Sequence, residues 1–170
     1  VRAMNYTIPI VPRVSGQVIE VPIEPNRPIK KGDVLFKIDP VPFEAAVKAA
    51  AATLQGAKDQ LNNAANKKAS LTPRIELAKK RVEQFTALAT AGAGKRADLE
   101  QAQSDLANLQ SEFLAADATE SQARAQIKKS EADLINAQFD LEGTTYLAPA
   151  NGRVTNLALR PGVRATTVAA

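Results

Sequence analysis

The sequence contains no cysteine, no histidine and no tryptophan, and aromatic residues make up only 4% of its 170 positions. Without cysteine there is neither a disulfide framework nor thiolate chemistry. Without histidine the usual general base and the commonest metal ligand are missing. No phosphate-binding glycine loop is present either, because Gly92-Ala93-Gly94-Lys95 is too short for one and follows a helical pattern. We therefore expect no enzymatic activity, no cofactor and no metal.

Long apolar runs are also absent, so no segment of the sequence is expected to span a membrane. The chain starts at Val1 without a signal peptide and stops at Ala170 without a closing element. We expect it to be a fragment of a longer protein, and the fragment alone to be a monomer or a weak oligomer in dilute solution. Its abundant Ala, Leu, Gln, Lys, Asp and Glu are typical of long helices and coiled coils.

The net charge of +4 is unevenly distributed. Residues 41–94 carry eight Lys and Arg against four acids, whereas residues 95–143 carry five against ten. Two such segments lying side by side would attract each other. The charge distribution is equally compatible with two segments whose charged faces are simply exposed to solvent, since exposed ion pairs contribute little stability.

The two ends of the chain differ from its middle. Residues 8–39 and 144–168 are rich in Val, Ile and Pro with Gly between them, which predicts short strands and turns, including stretches at Ile8–Pro12, Val14–Val21 and Val34–Ile38. Between them, apolar residues follow a heptad repeat in two segments, which predicts two long helices in a left-handed supercoil. The rows of the first segment are Val47, Leu54, Leu61, Lys68, Ile75, Val82, Ala89 and Phe43, Ala50, Ala57, Ala64, Leu71, Ala78, Phe85. The rows of the second are Leu99, Leu106, Phe113, Glu120, Ile127, Leu134, Leu141 and Ala102, Leu109, Ala116, Ala123, Ser130, Ala137.

The chain is predicted to reverse at Ala91–Gly94, where glycines supply the left-handed conformations that end helices. Pro73 is the obvious alternative, because an interior proline kinks or breaks a helix. However, the heptad runs through Pro73 unbroken and places it on the outer face. We expect a bend or local irregularity near residues 69–74, and no reversal there.

Folding the chain about Gly92 brings together Lys68 and Glu120, the only charged residues in the seam. A cross-helix ion pair between them would set the register of the two helices, which is a known use of polar seam positions. Alternatively, both side chains extend outward to solvent.

A hairpin in the middle also brings the two ends together. Ser15-Gly16-Gln17-Val18 matches Asn151-Gly152-Arg153-Val154. Similarly, Pro28-Ile29-Lys30-Lys31-Gly32 has a shorter counterpart in Arg160-Pro161-Gly162. Two related half-motifs predict one small β domain, because each half is too small to fold alone. The predicted fold is therefore α+β: a long antiparallel two-helix coiled-coil hairpin inserted into a split lipoyl-like β domain. The first half covers residues 1–41, the hairpin 42–143 with its turn near 91–95, and the second half 144–170.

These motifs carry a family resemblance. The run from Val14 to Val18 and the run from Ile29 to Pro40 resemble the first lipoyl half of HlyD-type membrane fusion proteins, and Leu147–Val154 resembles the second half. The Ile8–Pro12 lead-in looks most like EmrA-type members. The resemblance implies a periplasmic adaptor whose parent protein is anchored in the inner membrane by an N-terminal helix. It also implies self-association into trimers or hexamers that link an inner-membrane transporter to an outer-membrane channel in efflux or secretion.

The tip of the hairpin is where such proteins dock on TolC-type channels. Leu88 and Gly92 match the family's tip pattern, whereas Gln84 and Lys95 depart from it. Docking on a different channel, or an envelope-spanning structural role with a non-TolC partner, therefore remains open, and Phe85 and Leu88 could simply pack in the seam. The predicted partner-binding residues are Gln84, Phe85, Leu88, Gly92, Ala93, Lys95 and Arg96.

Two further functions fit the sequence less well. A lipoyl carrier needs a modifiable lysine at a hairpin tip, and Lys37 lacks the neighbours typical of that site. Nucleic-acid binding is not expected, because no aromatic residues interleave with the basic clusters at Lys67-Lys68 and Lys79-Lys80-Arg81.

Overall fold

The computed structural model describes residues 8–155 and 159–167. Its fold is α+β, with two long helices and a curled antiparallel sheet, as predicted. The described residues form two compact units. The first, called here the β unit, comprises residues up to Ala51 and from Asp133 onward, and the second is the hairpin unit, Ala52–Ala132.

Helix α1 spans Val41–Thr90 and helix α2 spans Arg96–Glu142. At the start of α1, the Val41 N–H donates to Asp39 Oδ1 at 3.1 Å and the Glu44 N–H donates to the Pro40 carbonyl at 2.8 Å. Asp39 thus caps the helix, and Pro42 lies in the first turn, where its missing N–H costs nothing. Helix α1 continues through Pro73 without interruption, so the chain does not reverse there. The bend expected near Pro73 stays a prediction.

The burial pattern of both helices confirms the heptad. Every residue of the four predicted rows is buried or half-buried. In the hairpin unit, Leu71, Ile75 and Ala116 are buried together, with Leu106, Leu109 and Phe113 packed against them. Alanine opposite these larger side chains lets the two helices approach closely while their side chains interdigitate.

The β unit contains six strands, β1 Gly16–Glu20, β2 Pro28–Ile29, β3 Val34–Ile38, β4 Thr145–Leu147, β5 Gly152–Arg153 and β6 Arg164–Ala165. Four of them form a sheet in the order β4-β3-β1-β6, and β2 pairs with β5. The pairs β3–β4, β1–β6 and β2–β5 each join a strand from before the helices to a strand from after them. The two ends of the chain therefore form one β unit.

The core of the β unit is built on large apolar side chains of the central strands. Val18, Leu35, Phe36 and Ile38 are each at most 1% exposed. The Phe36 ring stacks on Tyr146 with the ring centroids 5.1 Å apart. The buried side chains of β1 and β3 therefore fill a small interior.

The four glycines singled out in the sequence have different structural roles. Gly32 and Gly162 adopt φ values of +94° and +90°. Each is the third residue of a four-residue turn. The turn is closed by the N–H of the residue that follows the glycine, which donates to the carbonyl of Lys30 in the first turn and of Arg160 in the second. Such turns favour glycine at this position. A Cβ on Gly16 would lie 2.5 Å from Ile38 Cγ2, so Gly16 is required for close packing, whereas a Cβ on Gly152 would meet nothing within 4 Å.

One strand prediction was wrong. Residues 8–12 lie in the described part of the chain but form no strand. Pro9 and Pro12 lack the backbone N–H needed to pair with a neighbouring strand, which explains the irregular path of this segment. The strand predicted within Val14–Val21 is shorter in the structure and forms β1, whereas the strand predicted at Val34–Ile38 extends over its full predicted length.

Candidate partner-docking surface of the hairpin

Helix α1 ends in a Schellman motif. Gly92 has φ of +71°. Its N–H donates to the Ala89 carbonyl at 3.1 Å, and the Ala93 N–H donates to the Leu88 carbonyl at 3.0 Å. These two bonds satisfy carbonyls at the helix end that otherwise lack partners, and they require a left-handed residue at position 92. The glycine predicted to end the helix therefore does so.

The loop after Gly92 folds back against the helix end. The Gly94 N–H donates to the Leu88 carbonyl at 3.2 Å, and a Cβ on Gly94 would lie 3.1 Å from Leu88 Cβ. Sequence analysis treated Gly94 only as part of the turn and did not single it out as a site residue. The tip is thus a short, closely packed turn defined by backbone hydrogen bonds.

The structure places most of the predicted tip residues at the surface. Leu88 is 45% exposed. Lys95 makes no ion pair with any residue in the described part of the chain, and Arg96 contacts Glu100 at 3.5 Å with its side chain 91% exposed. Phe85 is half-buried in the seam. Exposure is shared by the other predicted tip residues, which are Gln84, Gly92, Ala93, Lys95 and Arg96.

Further from the tip, a polar layer crosses the seam at Lys68. Lys68 Nζ lies 3.0 Å from Glu120 Oε2 and 2.5 Å from Asp117 Oδ1. Arg124 donates to Glu120 Oε1 at 2.6 Å, and Lys68 Nζ stands 5.5 Å from the centroid of the Phe113 ring. Lys68 and Glu120 are therefore in contact across the seam, as folding about Gly92 predicts, and their role in setting the register stays a prediction.

The contacts of this layer favour the charged forms of both seam residues. Hydrogen bonds to Asp117 first, and to Glu120 second, raise the pKa of Lys68 above its ordinary value. Hydrogen bonds from Arg124 first, and from Lys68 second, lower the pKa of Glu120. Sequence analysis missed Asp117 and Arg124. Their spacing of three residues before and four residues after Glu120 could have identified them, because residues at these spacings share a helix face.

A second polar seam residue lacks such partners. Ser130 is 1% exposed, and its Oγ makes no hydrogen bond within the described chain. A buried hydroxyl without a partner loses its hydration without replacement, which is unfavourable. The heptad predicts Ser130 in the seam, but the sequence does not show whether its hydroxyl forms a hydrogen bond.

A family model described as RND MFP, barrel-sandwich hybrid domain, matches residues 6–170. The match includes the split β unit, the complete hairpin and the tip.

The chain belongs to the RND membrane fusion protein family. It is 31% identical over 184 residues to the multidrug resistance protein MdtN of Shigella flexneri, a match that covers 92% of this chain and 52% of MdtN. It is 30% identical over 163 residues to the uncharacterized protein YdhJ of Escherichia coli K12, covering 94% of this chain and 46% of YdhJ. This membrane fusion protein chain thus spans about half the length of these curated relatives.

A solved structure supports the fold of this membrane fusion protein. The crystal structure of MacA from Actinobacillus actinomycetemcomitans aligns with a TM-score of 0.57 at 21% identity, covering 94% of this chain and 46% of MacA. At this identity the likeness concerns the fold alone. It agrees with a helical hairpin that interrupts a small β domain.

Over residues 8–155 and 159–167, no group of three or more potential side-chain ligands could hold a metal ion. Over the same ranges, neither helix has a stretch that is both long and apolar enough to cross a lipid bilayer. Lys37, the lysine considered for a carrier domain, forms an ion pair with Glu20 at 2.8 Å across β1 and β3.

Proposed function

We propose that this membrane fusion protein chain is the lipoyl-like and hairpin part of a non-enzymatic periplasmic adaptor in a bacterial efflux or secretion assembly. In this proposal, residues 1–41 and 144–170 are the two lipoyl-like halves, and residues 42–143 are the hairpin. The parent protein is anchored in the inner membrane by an N-terminal helix, self-associates into trimers or hexamers and contacts an inner-membrane transporter. Its hairpin tip then reaches an outer-membrane channel.

The exposed tip carries this proposal. A leucine that is 45% exposed stands beside a turn held by backbone hydrogen bonds, so an apolar side chain is presented on a fixed support. A preorganised turn loses little conformational entropy when a partner binds. We assign the contact to Gln84, Phe85, Leu88, Gly92, Ala93, Lys95 and Arg96, with Leu88 as the apolar anchor.

A second candidate is an envelope-spanning structural role with a partner that is not of the TolC type. The observation that favours it is the exposed, unpaired Lys95, which replaces the residue expected from the family's tip pattern. Because a lysine is a strongly hydrated point charge, it suits a partner that offers carboxylates. The two candidates share the tip and differ only in the partner.

Crosslinking in intact cells tests both candidates. The full-length parent protein would carry a photoreactive residue at Lys95, with a matched variant at Ser121, which is exposed on α2 far along the sequence from the tip. We expect an outer-membrane channel to be crosslinked from position 95 and not from position 121. Recovery of a non-channel envelope protein from position 95 would support the second candidate, and identical products from both positions would contradict tip docking.

A further inference from the structure

Grooves of different chemistry open between the two helices of the hairpin unit. One of them, near the tip, has a volume of about 370 Å³ and walls with charges of both signs, where Arg74 contacts Glu112 at 3.9 Å. A larger groove, with a volume of about 690 Å³, runs from Thr53 to Lys67 on α1 and from Thr119 to Gln126 on α2. Lys67 is the only charged side chain among the described residues that line it. We call this larger groove the amide groove.

The walls of the amide groove present four side-chain amides, two from each helix. Gln60 and Asn63 come from α1, and Gln122 and Gln126 come from α2. All four are exposed, and none of them forms a side-chain hydrogen bond with another residue in the part of the chain that the structure describes. The Gln55 amide, by contrast, donates to a carboxylate one turn further along α1 at 3.0 Å. Because a primary amide has two donor hydrogens and an acceptor oxygen, the four amides offer both kinds of group to a ligand.

The floor of the amide groove is made of small residues. Ala57, Ala64 and Ala123 line it and are each at most 8% exposed. Gly56 lines the groove as well, and a Cβ at this position would meet nothing within 4 Å. Glycine is less favourable than alanine inside a helix, and packing within the chain does not require it here. The missing side chain leaves room for a group from another molecule to approach the backbone of α1.

The chemistry of the amide groove fits an extended polypeptide. An extended chain has unpaired backbone N–H and C=O groups along its length, and side-chain amides can accept from the first and donate to the second. A helix offers fewer such partners, because its backbone groups are already bonded to one another. None of the described residues that line the groove is aromatic, so no ring is available to stack on a sugar.

The length of the amide groove matches a short peptide. From Thr53 to Lys67, helix α1 rises by about 21 Å at 1.5 Å per residue. An extended segment of about six residues covers this distance at roughly 3.3 Å per residue. On α2, Gln122 and Gln126 are about 6 Å apart along the axis, and equivalent backbone groups of an extended chain repeat at about 6.6 Å. Both amides of α2 can therefore bond to the same edge of one peptide.

We propose that the amide groove binds an extended, uncharged polypeptide segment of another protein through the backbone of that segment. Gln60 and Asn63 bond to one edge of the bound segment, Gln122 and Gln126 bond to its other edge, and Gly56 allows it to lie close to α1. Recognition through the backbone makes the site tolerant of the sequence of the segment. Because the four amides are uncharged, we expect the affinity to depend little on salt.

Nuclear magnetic resonance of the isotope-labelled chain tests the proposal directly. The probe is a short synthetic peptide of Ser, Thr, Ala and Gly with blocked ends. We expect the side-chain amide signals of Asn63 and Gln122 to shift and saturate as the peptide is added. The signals of Asn62, which is exposed but does not line the groove, should stay unchanged. Absence of a shift at Asn63 and Gln122, or an equal shift at Asn62, would overturn the proposal.

Two leucine substitutions test whether the peptide occupies the groove. Gly56→Leu places a side chain where the chain leaves open space, and Ala52→Leu places the same side chain on α1 outside the groove. Both variants should keep their helical circular dichroism, because leucine is a good helix former. We expect Gly56→Leu to weaken peptide binding at least several-fold and Ala52→Leu to leave it unchanged. Equal affinities of the two variants would show that the peptide binds elsewhere.

Changes to the ligand test recognition through the backbone. A probe with alternate backbone nitrogens methylated lacks the donors of one edge and should bind at least several-fold more weakly, whereas equal binding would contradict backbone recognition. An N-acetylglucosamine oligomer and an alanine-rich helical peptide should not displace the probe. Displacement by the sugar would indicate a glycan site, displacement by the helical peptide would indicate a helix-binding groove, and either would overturn the proposal. None of these measurements involves the tip, so docking there and peptide binding can fail separately.

Discussion

The β unit and the hairpin unit reach stability by different routes. In the β unit, a few large side chains on β1 and β3 are almost fully buried, and Phe36 stacks on Tyr146. In the hairpin unit, many of the buried seam residues are alanine, and each contributes little apolar area. Because burial stabilises in proportion to apolar area, the β unit depends on single residues, whereas the hairpin spreads its stability along the seam.

The sharpest test of this difference is Phe36→Ala. Truncating a buried phenylalanine leaves a cavity and typically costs about 3–5 kcal/mol of unfolding free energy. Urea denaturation followed by tyrosine fluorescence, to which Tyr6 and Tyr146 contribute, would measure the loss in the β unit. Ile19→Ala, at a β1 position that is 49% exposed, is the control and should change stability far less. A small effect of Phe36→Ala would contradict a core that depends on single residues.

Gly92→Ala tests the end of α1. An L-residue at φ of +71° is strained, so we expect a loss of about 1–2 kcal/mol. Gly56→Ala is the same substitution inside α1, where a Cβ meets nothing within 4 Å, and it should stabilise by up to about 1 kcal/mol. Thermal unfolding monitored by helical circular dichroism would compare the two. Effects of the same sign would contradict the Schellman motif at the tip.

Ser130→Ala should stabilise the hairpin by about 1 kcal/mol, because it removes a buried hydroxyl that has no partner. The exposed Ser121→Ala provides the control, for which a change within about 0.5 kcal/mol is expected. The same circular dichroism assay applies. A destabilised Ser130→Ala variant would show that the hydroxyl is hydrogen-bonded in solution.

The smallest expected effect is the pH dependence of the polar layer at Lys68. The pKa of Glu120 lies below its ordinary value of 4.5, so its contribution is present above that pH and is lost as pH falls through the lowered pKa. The pKa of Lys68 lies above its ordinary value of 10.5, so its contribution is present below that pH and is lost as pH rises through the raised pKa. In a plot of unfolding free energy against pH, Glu120→Gln should reduce the loss of stability at acid pH, relative to the unsubstituted protein, more than Glu112→Gln does. Equal profiles would show that the layer adds no pH-dependent stability.

The sequence was most informative where a long pattern repeats. The heptad predicted the buried face of both helices residue by residue, including the contact between Lys68 and Glu120, because many positions agree on one register. The heptad therefore correctly predicted that the first helix continues through Pro73. The paired motifs at Gly16 and Gly152 likewise predicted that the two ends of the chain share one β unit.

The sequence was less informative where a property depends on the neighbours of a single atom. The heptad places Ser130 in the seam, but it does not show that the Ser130 hydroxyl lacks a hydrogen-bond partner. No strand forms at Ile8–Pro12, because Pro9 and Pro12 lack the backbone N–H groups that strand pairing needs. The exposure of Leu88 also required coordinates, because a position beside the seam can be either covered or open.

The pairing of strands across the hairpin has a consequence for how the chain folds. Val34 on β3 pairs with Leu147 on β4, so the partners are more than 100 residues apart in sequence. Closing an unstructured loop of that length costs on the order of 4 kcal/mol in chain entropy. Two helices that pair progressively from a tight turn form their contacts between residues that are already close together. Such local contacts form fastest, so no single step has to close the whole loop. The hairpin can therefore form first and deliver β4 to β3, which makes the long insertion a folding aid for the sheet it interrupts.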